Sequence, residues 1–215
     1  MSQRLRFRIS ISLDGFTAGR NQTIKEPLGE GGERLHEWVT PLAAWRAPHG
    51  LEGGEVNESS RVLEELGHNI GATIMGRNMF GGQPGPWKKD APWNGWWGKE
   101  PPFHHPVFVL THHARPRLEL QGETSFTFVT DGIESALRQA RAAAAGRDVA
   151  LAGGADVARQ YLNAGLVDEM SLQLVPILLG GGDRLFEGVA DLHGLRLTRS
   201  VGAPGVTHLW LDRNG

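Results

Sequence analysis

Polar and apolar positions change period several times along this chain, and each change marks an element. From Leu5 to Leu13, basic residues or Ser alternate with Leu, Phe and Ile, the two-residue period of a strand. Ala72 to Met75, Val107 to Thr111, Phe126 to Thr130 and Val149 to Ala152 are short and apolar throughout, as strands covered on both faces are. Helical spacing appears between them. Glu58 to Leu66 puts Val62, Leu63 and Leu66 on one face, and Ala155 to Ala164 does the same with Val157, Tyr161 and Leu162 before stopping at Gly165. Asp131 to Ala145 opens with Asp131 and Glu134 at capping-box spacing, carries Ile133, Leu137, Ala140 and Ala144, and stops at Gly146. Met170 to Leu179, Leu195 to Val201 and Val206 to Leu211 are strand-like, with connections too short for a crossover helix. The order predicts an α/β fold: a mostly parallel twisted sheet with helices on both faces and an antiparallel C-terminal edge.

Neither a composition shift nor a repeat divides residues 1–215, so one domain is expected. Two segments, about 21–56 and 81–106, show neither period and are rich in Gly, Pro and Trp. Loops that long in a compact domain usually carry function or are poorly ordered.

Composition removes several classes of function. The 22 basic and 24 acidic residues leave a net charge of -2, without the basic excess of a nucleic-acid binder. The basic N-terminus alternates charge with apolar residues, which suits a strand and not a signal peptide. No apolar run approaches the ~20 residues that span a bilayer, so no membrane partner and a cytoplasmic location are expected. The absence of Cys removes disulfides, thiolate nucleophiles and Cys-ligated metals. His104-His105 and His112-His113 are adjacent pairs whose side chains diverge on extended chain, and no H-x-x-x-H spacing occurs, so no metal is expected. What stands out is 30 Gly in 215 residues, twice the usual share of about 7%.

Some of that glycine falls where chemistry is expected. Val149 to Ala152 runs into Gly153 and Gly154 and directly into a helix, presenting backbone N–H groups and a positive dipole end to a phosphate. Ala72 to Met75 ends in Gly76-Arg77, and Val107 to Thr111 is followed by His112, His113 and Arg115. Three strand ends carrying anion-suited groups point to a dinucleotide in the crevice at the strand C-termini. Neither G-x-G-x-x-G opening a helix nor the P-loop pattern is present, and no G-x-S-x-G elbow indicates a hydrolase.

The succession Met75-Gly76-Arg77, Leu110-Thr111-His112 with Arg115, Ala152-Gly153-Gly154, Leu166-Val167-Asp168-Glu169 and Val175-Pro176-Ile177-Leu178-Leu179-Gly180-Gly181-Gly182 resembles the dihydrofolate reductase-like superfamily. More narrowly, with the opening Ile9-Ser10-Ile11-Ser12-Leu13-Asp14-Gly15-Phe16, it is similar to the C-terminal reductase domain of the bacterial deaminase-reductase of riboflavin biosynthesis. The resemblance implies an NADPH-dependent reductase, often a homodimer, acting on a small heterocyclic substrate: 5-amino-6-(5-phosphoribosylamino)uracil, or alternatively dihydrofolate or another pteridine. A non-catalytic nucleotide- or flavin-binding module is a third reading.

The same resemblance implies site residues. Gly76 and Arg77 match the first cofactor loop, Thr111, His112 and Arg115 the element beside the adenosine 2′-phosphate, and Gly153, Gly154, Ala155, Asp156 and Val157 the pyrophosphate and nicotinamide loop. Leu179, Gly180 and Gly181, with Asp183, match a loop near cofactor or substrate. Asp14 stands at the mouth of the substrate cleft, as a substrate ligand or within proton-transfer reach. Dihydrofolate reductases carry an acidic residue on the helix before the Met-Gly-Arg strand, where this chain has Ser59 and Ser60. For a phosphorylated substrate, Arg20, Lys88, Lys89 and Arg184 are candidate contacts. Six of the seven Trp lie in the long loops, and Trp93 and Trp96 are expected to wall the substrate pocket.

Overall fold

The structure is a computed structural model and describes residues 3–82, 85–88, 90 and 93–213. The strands are β1 (Leu5–Ser12), β2 (Phe16–Ala18), β3 (Ile70–Gly76), β4 (Pro106–Leu110), β5 (Leu118–Glu119), β6 (Ser125–Val129), β7 (Asp148–Gly153), β8 (Glu169–Val175), β9 (Asp183–Arg184), β10 (Arg196–Ala203) and β11 (Val206–Asp212). The helices are α1 (Ala43–Arg46), α2 (Glu58–Gly67), α3 (Arg77–Phe80), α4 (Ile133–Ala143) and α5 (Ala155–Asn163), with 3-10 turns at Gly32–His36 and Ala47–His49.

Nine strands form one sheet in the order β10-β11-β8-β1-β7-β3-β4-β6-β5, and β2 pairs β9 in a small second sheet. The pairs from β8 to β6 are parallel. The C-terminal edge, β11 on β8 and β10 on β11, is antiparallel as expected. The short β5 adds a second antiparallel edge on β6, a strand of two residues too brief to leave a period in the sequence.

Alternation along the strands sorts side chains between two faces. Leu5, Phe7, Ile74, Leu151, Met170 and Leu172 join one core under α4 and α5, with Tyr161 and Leu162 of α5 fully inside. On the other face Val62 and Leu66 of α2 meet Trp210, while Met75, Val107, Val109 and Phe126 meet the Trp-rich loop. Helices therefore lie on both faces.

Three details depart from the sequence expectation. Asp131 and Glu134 form no capping box: α4 begins after Gly132 at φ 92, an N-cap with no side-chain hydrogen bond. The strand expected to reach Leu179 ends at Val175, because Pro176 has no N–H to give the ladder. Segment 21–56 contains two 3-10 turns and α1, too short to show periodicity. The Leu166–Glu169 run lies at the N-terminal end of the sheet, where Asp168 Oδ2 accepts from Leu5 N–H at 2.8 Å and Glu169 pairs with Arg4 and Arg6.

α2 is closed by a reciprocal cap. Ser59 N–H donates to Asn57 Oδ1 at 2.9 Å, and Asn57 N–H donates to Ser60 Oγ at 3.2 Å. Asn57→Ala is expected to cost about 1 kcal/mol of folding stability, read as a lowered midpoint with unchanged slope in urea denaturation.

Candidate active site

The C-terminal ends of β1, β3, β4, β6 and β7 open into one cleft of about 700 Å³. Its glycine-rich wall begins where β3 and β7 end side by side. Met75 pairs Gly153 across a register shift, and α5 starts at once from Gly154. A Cβ at Gly76 would stand 2.8 Å from Val157 Cγ2, so only glycine lets α5 bring its first turn this close. That first turn, Ala155 to Val157, lines the cleft with N–H groups that have no intrahelical acceptor. Asp156 lines it too, with its carboxylate turned along the helix to accept from Gln160 at 2.9 Å and Arg159 at 3.4 Å.

Arg77 opens α3 at the same wall, its guanidinium 3.1 Å from the centroid of the Trp87 ring. Burial, with Arg115 beside it, pushes Arg77 down to about 10, which leaves it cationic at neutral pH. Thr111 and His112 follow β4 and also line the cleft. Thr111 N–H donates to Val129 O at 3.0 Å, and its Oγ1 accepts from His113 N–H at 3.2 Å. The structure thus brings together Gly76, Arg77, Thr111, His112, Gly154, Ala155, Asp156 and Val157. Gly153 stands immediately behind them, joined to Gly154 by a cis peptide.

Arg115 does not reach this wall. Its guanidinium donates to Trp93 O at 2.7 Å and Asn94 Oδ1 at 3.3 Å, and lies 4.8 Å from both Trp87 and Phe128. It braces the loop over the cleft, a role set by the aromatic rings around it.

That loop is a pinned lid. Indole N–H groups donate from Trp87 to His113 O at 2.7 Å, from Trp93 to Phe80 O at 2.8 Å and from Trp96 to Met79 O at 2.9 Å. At roughly 1 kcal/mol each, three such bonds disfavour detachment by about a hundredfold. Trp96 and Trp97 line the cleft. Trp93 does not; it packs edge-on against Trp96 at 4.6 Å with the second apolar cluster behind it.

Asp14 and the Gly-rich loop also part from expectation. Ser12 Oγ donates to Asp14 Oδ1 at 2.6 Å, Leu179 N–H to Oδ1 at 3.1 Å and Gly180 N–H to Oδ2 at 2.7 Å. Desolvation pushes the Asp14 carboxyl up, and these donors outweigh it and hold it at about 2. A carboxylate committed to three donors is a clamp and has no proton to give near neutral pH. Leu179, Gly180 and Gly181 are what it clamps, outside the cleft lining. Arg20 donates to Gly180 O at 2.8 Å, and a Cβ at Gly182, φ +127, would stand 2.0 Å from Ala18 O. Of this stretch only Asp183 reaches the cleft.

Arg20, Lys88 and Arg184 do not line the cleft either, Arg184 lying 4.4 Å over the Phe16 ring; Lys89 falls outside the described residues. The serines of α2 are engaged elsewhere: Ser59 Oγ is 2.9 Å from His208 Nε2, and Ser60 caps the helix. Ser10, Thr17, Gln22, Leu28, His36, Arg159 and Asp183 line the cleft as well, with the two Trp. His36 gives no sequence signal, being a lone His in a segment without period. Among the described residues no cluster of three or more His, Cys, Asp or Glu could hold a metal ion, and no helix is long and apolar enough to cross a membrane.

A mostly parallel sheet with a glycine-walled cleft at its strand ends is the architecture of the dihydrofolate reductase-like proteins, and a dihydrofolate reductase from Enterococcus faecalis in complex with NADP(H) superposes with a TM-score of 0.53 at 13% identity over 100% of both chains. The chain belongs to the RibD C-terminal domain family, whose model matches residues 3–207. A protein provisionally assigned to riboflavin biosynthesis from Shewanella sp. PV-4 has a TM-score of 0.63 at 21% identity, over 99% of this chain and 98% of that one. The Thermotoga maritima diaminohydroxyphosphoribosylaminopyrimidine deaminase/5-amino-6-(5-phosphoribosylamino)uracil reductase has a TM-score of 0.57 at 13% identity; the match covers 98% of this chain and 56% of that one. The uncharacterized protein YyaP of Bacillus subtilis (strain 168) is 22% identical over 216 residues, 97% of this chain and 95% of its own. Membership and these neighbours support a reductase of the riboflavin-pathway type.

The clamp has a pH signature. A carboxyl held at about 2 in the folded chain and near 3.8 otherwise adds stability above 3.8 that is lost as pH falls through that interval. Asp14→Asn, which turns an amide NH₂ toward an N–H donor, is expected to be less stable than wild type at pH 5 to 7. That gap should narrow below about pH 4 in denaturant titrations run across pH. A gap that stays constant down to pH 2 contradicts the clamp.

Proposed function

We propose that this protein is an NADPH-dependent reductase that transfers hydride to a C=N or C=O carbon of a small heterocycle. The observation that carries this reading is the convergence of Gly76-Arg77, Thr111-His112 and Gly154 to Val157 on one wall of a cleft whose other wall is aromatic and polar. The close seating of α5 that Gly76 allows, and the unpaired first-turn N–H groups it brings to the cleft, fit a dinucleotide: the α5 N–H groups suit the pyrophosphate, and Arg77 and His112 suit the 2′-phosphate. When bound, the cofactor supplies the hydride and the protein supplies position and electrostatics. Trp96 and Trp97 give the cleft an apolar face. Trp96 is fixed by its hydrogen bond to Met79 and by contact with Gly81, where a Cβ would stand 2.5 Å from the indole, so it offers a rigid face to a flat ring.

The first compound to assay is 5-amino-6-(5-phosphoribosylamino)uracil, whose ribosyl group would become ribityl; dihydrofolate is the second. The acidic position of the α2 helix is serine here, and no α2 carboxylate lines the cleft, which weighs against the second. Loss of NADPH absorbance with the uracil and not with dihydrofolate is expected. Binding of NADPH with no oxidation across both would favour the non-catalytic reading.

Cofactor choice gives a second prediction. One charge-assisted contact is worth roughly 1.5–3 kcal/mol, so Arg77→Ala is expected to weaken NADPH at least about tenfold and NADH far less, by fluorescence titration. Equal losses for both would place Arg77 away from the 2′-phosphate. Gly76→Val, which pushes against Val157 and displaces the first turn of α5, is expected to weaken both equally.

A further inference from the structure

Beyond Ser10 the sheet is polar where a core would be apolar. Ser10 of β1 lines the cleft and is paired in register with Gln173 of β8, which is paired in turn with His208 of β11. Residues in register share a face, so the three side chains stand in line across three strands. α2 closes the far end of the line, where Ser59 Oγ lies 2.9 Å from His208 Nε2. All four residues are buried. His208 Nδ1 and, two residues on, Trp210 Nε1 are buried with no hydrogen-bond partner among the described residues. The row holds more hydrogen-bonding capacity than the fold uses, and a buried polar atom without a partner costs stability.

Trp38 covers this row. Its indole N–H donates to Ser10 Oγ at 3.2 Å and its ring meets His208 edge-on at 5.1 Å, so it spans the position of Gln173 between them. It also packs on the apolar cluster of Leu35, Val175 and Val206. Ser10 and His36 line the cleft, whereas Trp38 stands behind them. A flat ring that reaches Ser10 stops there, and a second ring fused to that edge would claim the space the indole fills.

We propose that Trp38 sets the depth of the cleft beside Ser10, so that it takes one-ring pyrimidines and turns away two-ring pteridines. This deepens, and rests on, the reading of the cleft as the site of a heterocycle reductase. With Trp38 reduced to Ala, the space gained is lined by Ser10, Gln173 and His208, which offer hydrogen bonds to the nitrogens of a second ring.

The probes differ by one ring: 5,6-diaminouracil, and pteridine-2,4-dione, which fuses a pyrazine to the same dioxopyrimidine. Each is titrated into cofactor-free protein and followed by NMR, with NADP⁺ titrated in parallel. Wild type is expected to bind the single ring at least about tenfold tighter than the double ring. Trp38→Ala should bind the double ring at least about tenfold tighter than wild type does, a gain that misfolding cannot produce. Trp38→Phe, which keeps a ring over the row, should stay near wild type. Adding Gln173→Leu to Trp38→Ala should remove most of the gain, which places the second ring on the row. NADP⁺ affinity should hold at the wild-type value in every variant.

Equal affinity of wild type for the two rings, no gain for the double ring in Trp38→Ala, a gain that survives Gln173→Leu, or binding of neither ring overturns the proposal. So does a loss of NADP⁺ affinity in Trp38→Ala, which would mean that the indole holds the shape of the whole cleft. If the rings are discriminated as expected but NADPH is oxidised with neither the uracil compound nor dihydrofolate, the reductase reading fails and the role of Trp38 stands. Oxidation with the uracil compound beside an unchanged ring preference in Trp38→Ala has the opposite meaning.

Discussion

The contact between Gly76 and Val157 governs the rest of this structure. Two parallel strands that end in glycine lie side by side, and the space one methyl would fill admits the first turn of α5 across both ends. A protein interior is close-packed, so this spacing has no slack. With α5 drawn in, its unpaired N–H groups face the same space as Arg77 and Thr111. Had β3 ended in any larger residue, the helix would stand off and that wall would lose its backbone donors.

A different principle builds the other wall. Polar backbone groups that a strand or helix would satisfy internally are satisfied here by side chains: the carbonyls of Met79, Phe80 and His113 by indole N–H groups, and the N–H groups of Leu179 and Gly180 by Asp14. The loop after α3 and the loop after β8 each carry such a tether. Tryptophan suits this because it covers apolar surface with its body and spends its one donor at a chosen point. Asp14 serves the same end with two oxygens, so the carboxylate expected at the mouth of the cleft is taken up in holding the loop after β8.

How much of this the sequence disclosed follows from the range of the interactions. β1, β3, β4, β6 and β7 were legible because burial on both faces leaves continuous apolar runs, and the glycines at their ends were legible because close backbone approach has few other solutions. Gly76, Arg77, Thr111, His112 and the start of α5 could be placed at one crevice for that reason, and they line one cleft in the structure. Arg115 was not separable from them: a guanidinium after a strand end suits a phosphate or an aromatic cage equally well, and only the fold shows Trp87 and Phe128 on either side of it. His36 and Asp183 line one cleft from positions more than a hundred residues apart, with no period or spacing to connect them. Pro176 was visible, and its lack of a donor would have ended β8 where the structure does.

α3 is only four residues long, yet it belongs to both walls. Arg77 begins it on the glycine side, and the carbonyls of Met79 and Phe80 hold Trp96 and Trp93 of the lid. A turn shared in this way ties the two walls together: its four residues carry both the guanidinium on the glycine side and the carbonyls that hold the indoles of the lid, so a substitution that displaces α3 disturbs both walls at once.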